Sequence, residues 1–156
     1  MNIKVILLLI CVLAQGVMDE AWSRDRYDLG HEWTAEEALA DMVIRFRYAP
    51  DMVKFREVNR FFNQMPYHGD VAGYALAKKQ ALIEMDVEPH RLQLAHVKHR
   101  RSQDDLIVLL VYPEMGGEDA LVLDSFFPGI SLLSEREDLF LVLTLDDEEV
   151  DRLRAQ

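Results

Sequence analysis

Tyr74–Lys98 reads YALAKKQALIEMDVEPHRLQLAHVK, and its periodicity changes midway. In the first half Tyr74, Ala77, Ala81, Leu82 and Met85 recur at i, i+3, i+7, i+8 and i+11, one continuous helical face, with Lys78 and Lys79 outside it. After Pro89 the residues Leu92 and Leu94 alternate with polar neighbours, the period of a strand. Helical signals precede this junction and extended ones follow it, which is the α+β pattern, with N-terminal helices packed on an antiparallel sheet.

Upstream, Asp70 is a helix N-cap and predicts a helix over Val71–Met85, slightly weakened by Gly73 in its first turn. A second helix is expected over Asp51–Asn63, with Val58, Phe61 and Phe62 on its apolar side. Thr34-Ala35-Glu36-Glu37 reads as a capping box, and Leu39, Met42, Val43 and Phe46 repeat at i, i+3, i+4, i+7 behind it until Ala49-Pro50. Downstream, Arg91–Arg100, Leu106–Tyr112, Asp119–Phe126 and Leu139–Leu145 read as strands joined by polar turns, so neighbours should pair as antiparallel hairpins. Their nearly unbroken apolar character predicts a sheet covered on both faces. Asp146–Asp151 (DDEEVD) reads as a solvated C-terminal turn.

The 156 residues suit one domain, and 17 basic against 28 acidic side chains give a net charge of −11. So acidic a chain is unsuited to a nucleic-acid backbone, and Lys98-His99-Arg100-Arg101 reads as a solvated hairpin end rather than a phosphate patch. Cys11 is the only cysteine, which rules out a disulfide framework and any CxxC site.

Met1–Lys4 is short and positively charged, Val5–Ala14 (VILLLICVLA) is wholly apolar, and Gln15-Gly16 restores polarity. Ten residues as a helix span about 15 Å, half of a roughly 30 Å hydrocarbon core, so the run does not span a membrane. Residues 1–14 are expected to be a signal peptide and 15–156 a single exported domain. Cutting after Ala14 removes Lys4 and Cys11, leaving a thiol-free chain whose net charge moves from −11 to −12.

No spacing of the five histidines points to a metal. His96-x-x-His99 lies in strand-like sequence, where residues three apart face opposite ways. The acidic run at 146–151 is too compressed for an EF-hand, and no P-loop, GxGxxG or GxSxG occurs. No cofactor is expected.

Taken in order, VNRFFN (58–63), Gly69-Asp70, residues 74–98, ALVLDSF (120–126) and ISLLSEREDLFLVLTL (130–145) resemble the bacterial transglutaminase-like cysteine proteinases. The resemblance implies a papain/transglutaminase-like fold and a periplasmic address. It also implies a Cys thiolate at a helix N-terminus, a strand His that moves the proton, and an Asp that orients the His. The family pattern Gly-Asp-Cys-Glu-Asp-Tyr stands here as Gly69-Asp70-Val71-Ala72-Gly73-Tyr74. The nucleophile position is therefore Val71, and the His position falls on Leu106, or on Asp105 if the turn shifts by one. Asp124 alone keeps a triad residue type. Of the acidic residues that hold calcium in the family only Asp70 remains, too few for a site and better suited to a helix cap. The stretch from Asn63 to Gly69 is also shorter than the family's.

These departures point to an inactive relative with vestigial positions Val71, Leu106 and Asp124. It would be retained as a binding or regulatory module for a peptide or a membrane-protein partner. The alternatives are a periplasmic hydrolase using other groups, such as Asp124 with His68 or His96, and a remnant with no retained role.

Overall fold

The computed structural model describes residues 34–64, 70–113, 119–127 and 129–154. The expected leader and the short stretch before Asp70 lie outside the described residues. Helices α1 (Ala35–Phe46), α2 (Asp51–Gln64) and α3 (Val71–Glu84) come first. Strands β1 (Leu92–His99), β2 (Asp105–Val111), β3 (Leu121–Leu123), β4 (Ser131–Leu132) and β5 (Leu139–Leu145) follow, and helix α4 (Asp147–Arg154) closes the described chain. The α+β expectation holds.

Two of the helices start at side-chain caps read from the sequence. Thr34 Oγ1 accepts from the Glu37 N–H while Glu37 reaches back to the Thr34 N–H, the reciprocal box read from the sequence. Asp70 caps α3 through the Gly73 N–H at 2.7 Å.

The sheet runs β4-β3-β2-β1-β5, antiparallel throughout. Four strands form a meander, and the fifth returns to the far edge beside β1. Residues alternate between the two faces. Leu92, Leu94, Leu109, Val111, Leu121 and Leu123 join the helices in one cluster, whereas Ala95, Val97, Val108, Leu110 and Val122 form a second on the opposite face. Leu133 and Leu139, which bracket the crossing from β4 to β5, both pack in the second cluster. The crossing therefore runs over the face opposite the helices and carries Arg136 and Asp138 with it.

Opposite β1, His96 pairs with Leu143 and Val97 with Leu141, leaving Val142 as the extra residue of a bulge. The bulge reverses the facing of β5 halfway along. Leu139 enters the second cluster and Leu145 the helical one, although both are odd-numbered.

Four expectations need correction. Lys78 is fully buried instead of lying outside the packed face of α3. The strand expected over Asp119–Phe126 shrinks to Leu121–Leu123, because the Asp124 carboxylate takes the Phe126 and Phe127 N–H groups into a turn. The sheet is not covered on both faces at its edge, where Phe140–Leu143 of β5 are exposed. The acidic run at 146–151 forms a helix rather than a turn. There the Glu149 N–H donates to Asp146, Glu149 accepts the Asp146 N–H, and Val150 is driven into the core.

Candidate functional site

The strand ends at one side of the sheet meet the start of α3 around a groove of about 520 Å³. Its lining includes Val71, Leu106 and Asp124, so the three positions singled out in the sequence come together in space. Val71 opens α3, directly after the Asp70 cap, where unpaired N–H groups concentrate positive potential. Leu106 packs with the cluster of Val108 and Leu110 on the second face. Asp124 follows β3 two positions beyond Val122 of the same cluster. Both alternatives for the proton carrier line the groove: Leu106 packs on the second face, and the Asp105 carboxylate meets His96 Nε2 at 2.7 Å.

The Asp124 carboxylate is only 3% exposed, and both of its oxygens are engaged. Oδ1 accepts from the Phe126 and Phe127 N–H groups, and Oδ2 accepts from Arg136 Nη1 at 2.7 Å. Arg136 is held in turn by Asp138, through Nε and Nη2 at 2.8 Å each, and its guanidinium carbon lies 5.0 Å from the centre of the Phe127 ring. The hydrogen bonds that Arg136 donates to Asp138, and then to Asp124, raise its pKa further above the ordinary value despite partial burial. The same hydrogen bonding to Arg136 holds the Asp138 carboxyl below the usual range. A carboxylate stands at the Asp124 position, but an arginine occupies its Oδ2.

Beneath this turn lies a polar cluster that periodicity did not disclose. Lys78 Nζ donates to Asn59 Oδ1 at 2.9 Å, Asn63 Oδ1 at 3.1 Å and the Asp124 carbonyl at 2.6 Å. Asn63 Nδ2 donates to the Phe127 carbonyl at 2.9 Å, and Asn59 Nδ2 to the Gly129 carbonyl at 3.2 Å. Three side chains from α2 and α3 thus fix the 124–129 turn that carries Asp124. Burial lowers the Lys78 pKa to about 7 against the attraction of Asp124. The available signal was a pair of asparagines at i, i+4 on the otherwise apolar side of α2.

The residues around Asp70 do not fit a calcium ion. Its Oδ1 accepts from the Gly73 N–H, its Oδ2 is held by Arg154 at 2.7 and 3.0 Å, and Ala72 and Gly73 offer no side-chain oxygen. Its role as a helix cap, expected from sequence, is borne out. His96 and Asp124 are not brought together. His68 lies outside the described residues. The described lining of the groove includes His99, whose Nε2 is 3.9 Å from Asp138 and whose Nδ1 is 3.0 Å from Ser102 Oγ.

No family model matches the chain, and no curated protein sequence matches it either. Solved structures do. Calcium-bound LapG of Legionella pneumophila superposes with a TM-score of 0.71 at 20% identity, covering 95% of this chain and 86% of that one. A second structure of LapG from the same organism gives 0.70 at 18% identity over 94% and 85%, and its EGTA-treated form 0.70 at 19% over 94% and 82%. LapG is a periplasmic transglutaminase-like cysteine protease. At this level of identity the likeness establishes the architecture: the chain has a transglutaminase-like fold.

Proposed function

We propose that this chain is an exported binding or regulatory protein that receives an extended peptide, free or within a membrane-protein partner, in the groove and does not cleave it. One observation carries the reading. Valine opens α3 at the groove, whose lining it shares with an aspartate whose carboxylate is committed to Arg136 and to its own turn. Valine has no lone pair to attack a carbonyl, and Leu106 can neither take nor return a proton. What remains is a concave surface with apolar lining from Val71, Leu106, Phe126, Phe127 and Leu139 and a few fixed charges, the composition of a recognition site. The expected leader at 1–14 and the periplasmic address of LapG support export. Among the described residues no helix is long and apolar enough to cross a membrane.

The test is selection of a displayed peptide library against the purified protein, followed by binding to a Val71→Trp variant. The reading requires peptides that bind the parent and lose affinity when the indole fills the groove. Peptides that bind both proteins equally, or no enrichment at all, would remove it.

A second reading, hydrolysis by non-standard groups, has the Ser102–His99–Asp138 arrangement in its favour. Against it, the Ser102 N–H also donates to His99 Nδ1 at 3.2 Å and the Asp104 N–H to Ser102 Oγ at 3.4 Å, the habits of a tight hairpin turn. Peptidase activity in the parent that disappears in both His99→Ala and Ser102→Ala would establish this reading in place of the first.

A further inference from the structure

The groove is apolar along part of its wall and charged along the rest, and the charges do not balance. Asp104, Asp105, Asp124 and Asp138 line it against the guanidinium of Arg136, with His99 beside Asp138. We propose that the peptide segment selected by this groove carries an arginine side chain, with Asp104 as its carboxylate partner and the phenylalanine wall as its apolar one. This rests on the groove's proposed role as a peptide receptor and specifies which peptide it receives.

The four aspartates differ in what is left to them. Asp124 and Asp138 share one guanidinium, so the three groups together keep one negative charge. Asp105 meets His96 Nε2 at 2.7 Å and Lys98 Nζ at 3.8 Å. Asp104 is held by its backbone, its carbonyl accepting from the His99 N–H at 2.9 Å and its N–H donating to Ser102 Oγ at 3.4 Å. Its exposed carboxylate has no partner among the described residues. Arg100 and Arg101 of the same turn do not line the groove, and Arg100 directs its Nε to the Leu139 carbonyl at 3.3 Å. An occupant that brings a positive charge is therefore attracted, and an acidic one repelled.

The apolar wall selects the shape of that charge. Phe126 and Phe127 are 56% and 45% exposed, although both belong to the turn fixed by Lys78, Asn59 and Asn63. A planar guanidinium stacks on such rings, whereas a compact, strongly hydrated ammonium profits less. The chain contains its own example: Arg136 lies 5.0 Å from the centre of the Phe127 ring with a carboxylate on each side. Phe126 and Asp104 offer the same two chemistries, ring and carboxylate, to an arginine from outside. Apolar neighbours of that arginine suit the part of the lining made by Val71, Leu106 and Leu139.

The experiment is fluorescence anisotropy of the full chain with labelled, end-blocked peptides of alanine, serine and leucine that differ only in one central residue: arginine, lysine, glutamine or glutamate. The arginine peptide should bind roughly tenfold more tightly than the glutamine one, with lysine between them and glutamate weakest, and the difference should shrink as salt is raised. Asp104→Asn should remove most of the preference for arginine while leaving the glutamine peptide unaffected, and Asp104→Arg should favour the glutamate peptide instead. Phe126→Ala should weaken the arginine peptide about fivefold and the lysine peptide less. If arginine and glutamine peptides bind equally and both are lost in Val71→Trp, the groove receives peptides without regard to charge, and this inference falls while the peptide role stands. An arginine preference that survives Asp104→Asn unchanged also overturns it. Failure of every peptide to bind removes both.

Discussion

Arg136 Nη1 sits 2.7 Å from Asp124 Oδ2, and the two side chains are 11% and 3% exposed. The chain delivers them from opposite directions, Asp124 from the end of β3 and Arg136 from the crossing that leads to β5. Their contact stitches the crossing to the turn below it. Removing one member of a buried ion pair strands the other, at about 3–5 kcal/mol, whereas removing both costs far less. Arg136→Met should therefore destabilise strongly, and Asp124→Asn less, because Asp138 still holds Arg136. The double variant should be more stable than the sum of the two losses. Urea unfolding of the four proteins as a double-mutant cycle measures this coupling.

Lys78 should make stability depend on pH. Its folded-state pKa is lowered to about 7 from an ordinary 10.5. Between those values the unfolded chain binds a proton that the folded chain does not, so stability attributable to Lys78 rises with pH through this window. Below about pH 7 both states are protonated and the full penalty of the buried charge is present. Lys78→Met removes the titration but also the three hydrogen bonds that hold the 124–129 turn. The expected result is a less stable protein whose unfolding free energy, compared with the parent, lacks the rise between pH 7 and 10. A parallel pair of profiles would contradict the assignment.

How much of this was legible in the sequence depended on how far apart the interacting residues lie. The change of period at residues 74–98 located α3 and β1, and the Thr34–Glu37 box was readable because its partners are three residues apart. Lys78 was misjudged because its acceptors sit 15, 19 and 46 positions away. A lysine beside an apolar stripe reads as solvated until those acceptors are brought to it. Arg136 escaped notice for a related reason: only the crossing of the chain over the second face brings it to Asp124. Leu139–Leu145 looked like a covered strand because composition reports apolarity but not position at an edge. Val71, Leu106 and Asp124 were found through a resemblance, not through periodicity, and the fold gathers them around one groove.

Gly73 illustrates a constraint that helix propensity alone inverts. Replacing glycine by alanine within a helix usually stabilises by about 1 kcal/mol. Here a Cβ would stand 2.3 Å from Asp70 Oδ2, so the cap must leave and its contact with Arg154 must loosen with it. Losing a cap costs about 1 kcal/mol or more. Gly73→Ala should therefore be neutral to destabilising, and in an Asp70→Ala background the same change should become stabilising. Thermal unfolding of the three variants checks the reversal of sign.

Val71→Cys probes the groove directly. A thiol at the first position of α3 would face the helix N-terminus, which favours its anion, so its pKa should fall below the ordinary value of about 8.5. Alkylation by iodoacetamide, followed at residue 71 by peptide mass analysis to separate it from Cys11, should reach half its maximal rate below that pH. The same variant should not hydrolyse peptides, because Leu106 cannot carry a proton and Asp124 remains committed to Arg136. Adding Leu106→His supplies the base, and adding Arg136→Met releases the carboxylate that would orient it. Groups that act as a unit yield little until the unit is complete, so turnover should appear only in the triple variant and not as a sum of small gains. Hydrolysis by Val71→Cys alone would show that a base already lies within reach of residue 71, and a thiol of ordinary reactivity would show that α3 does not present this position to the groove.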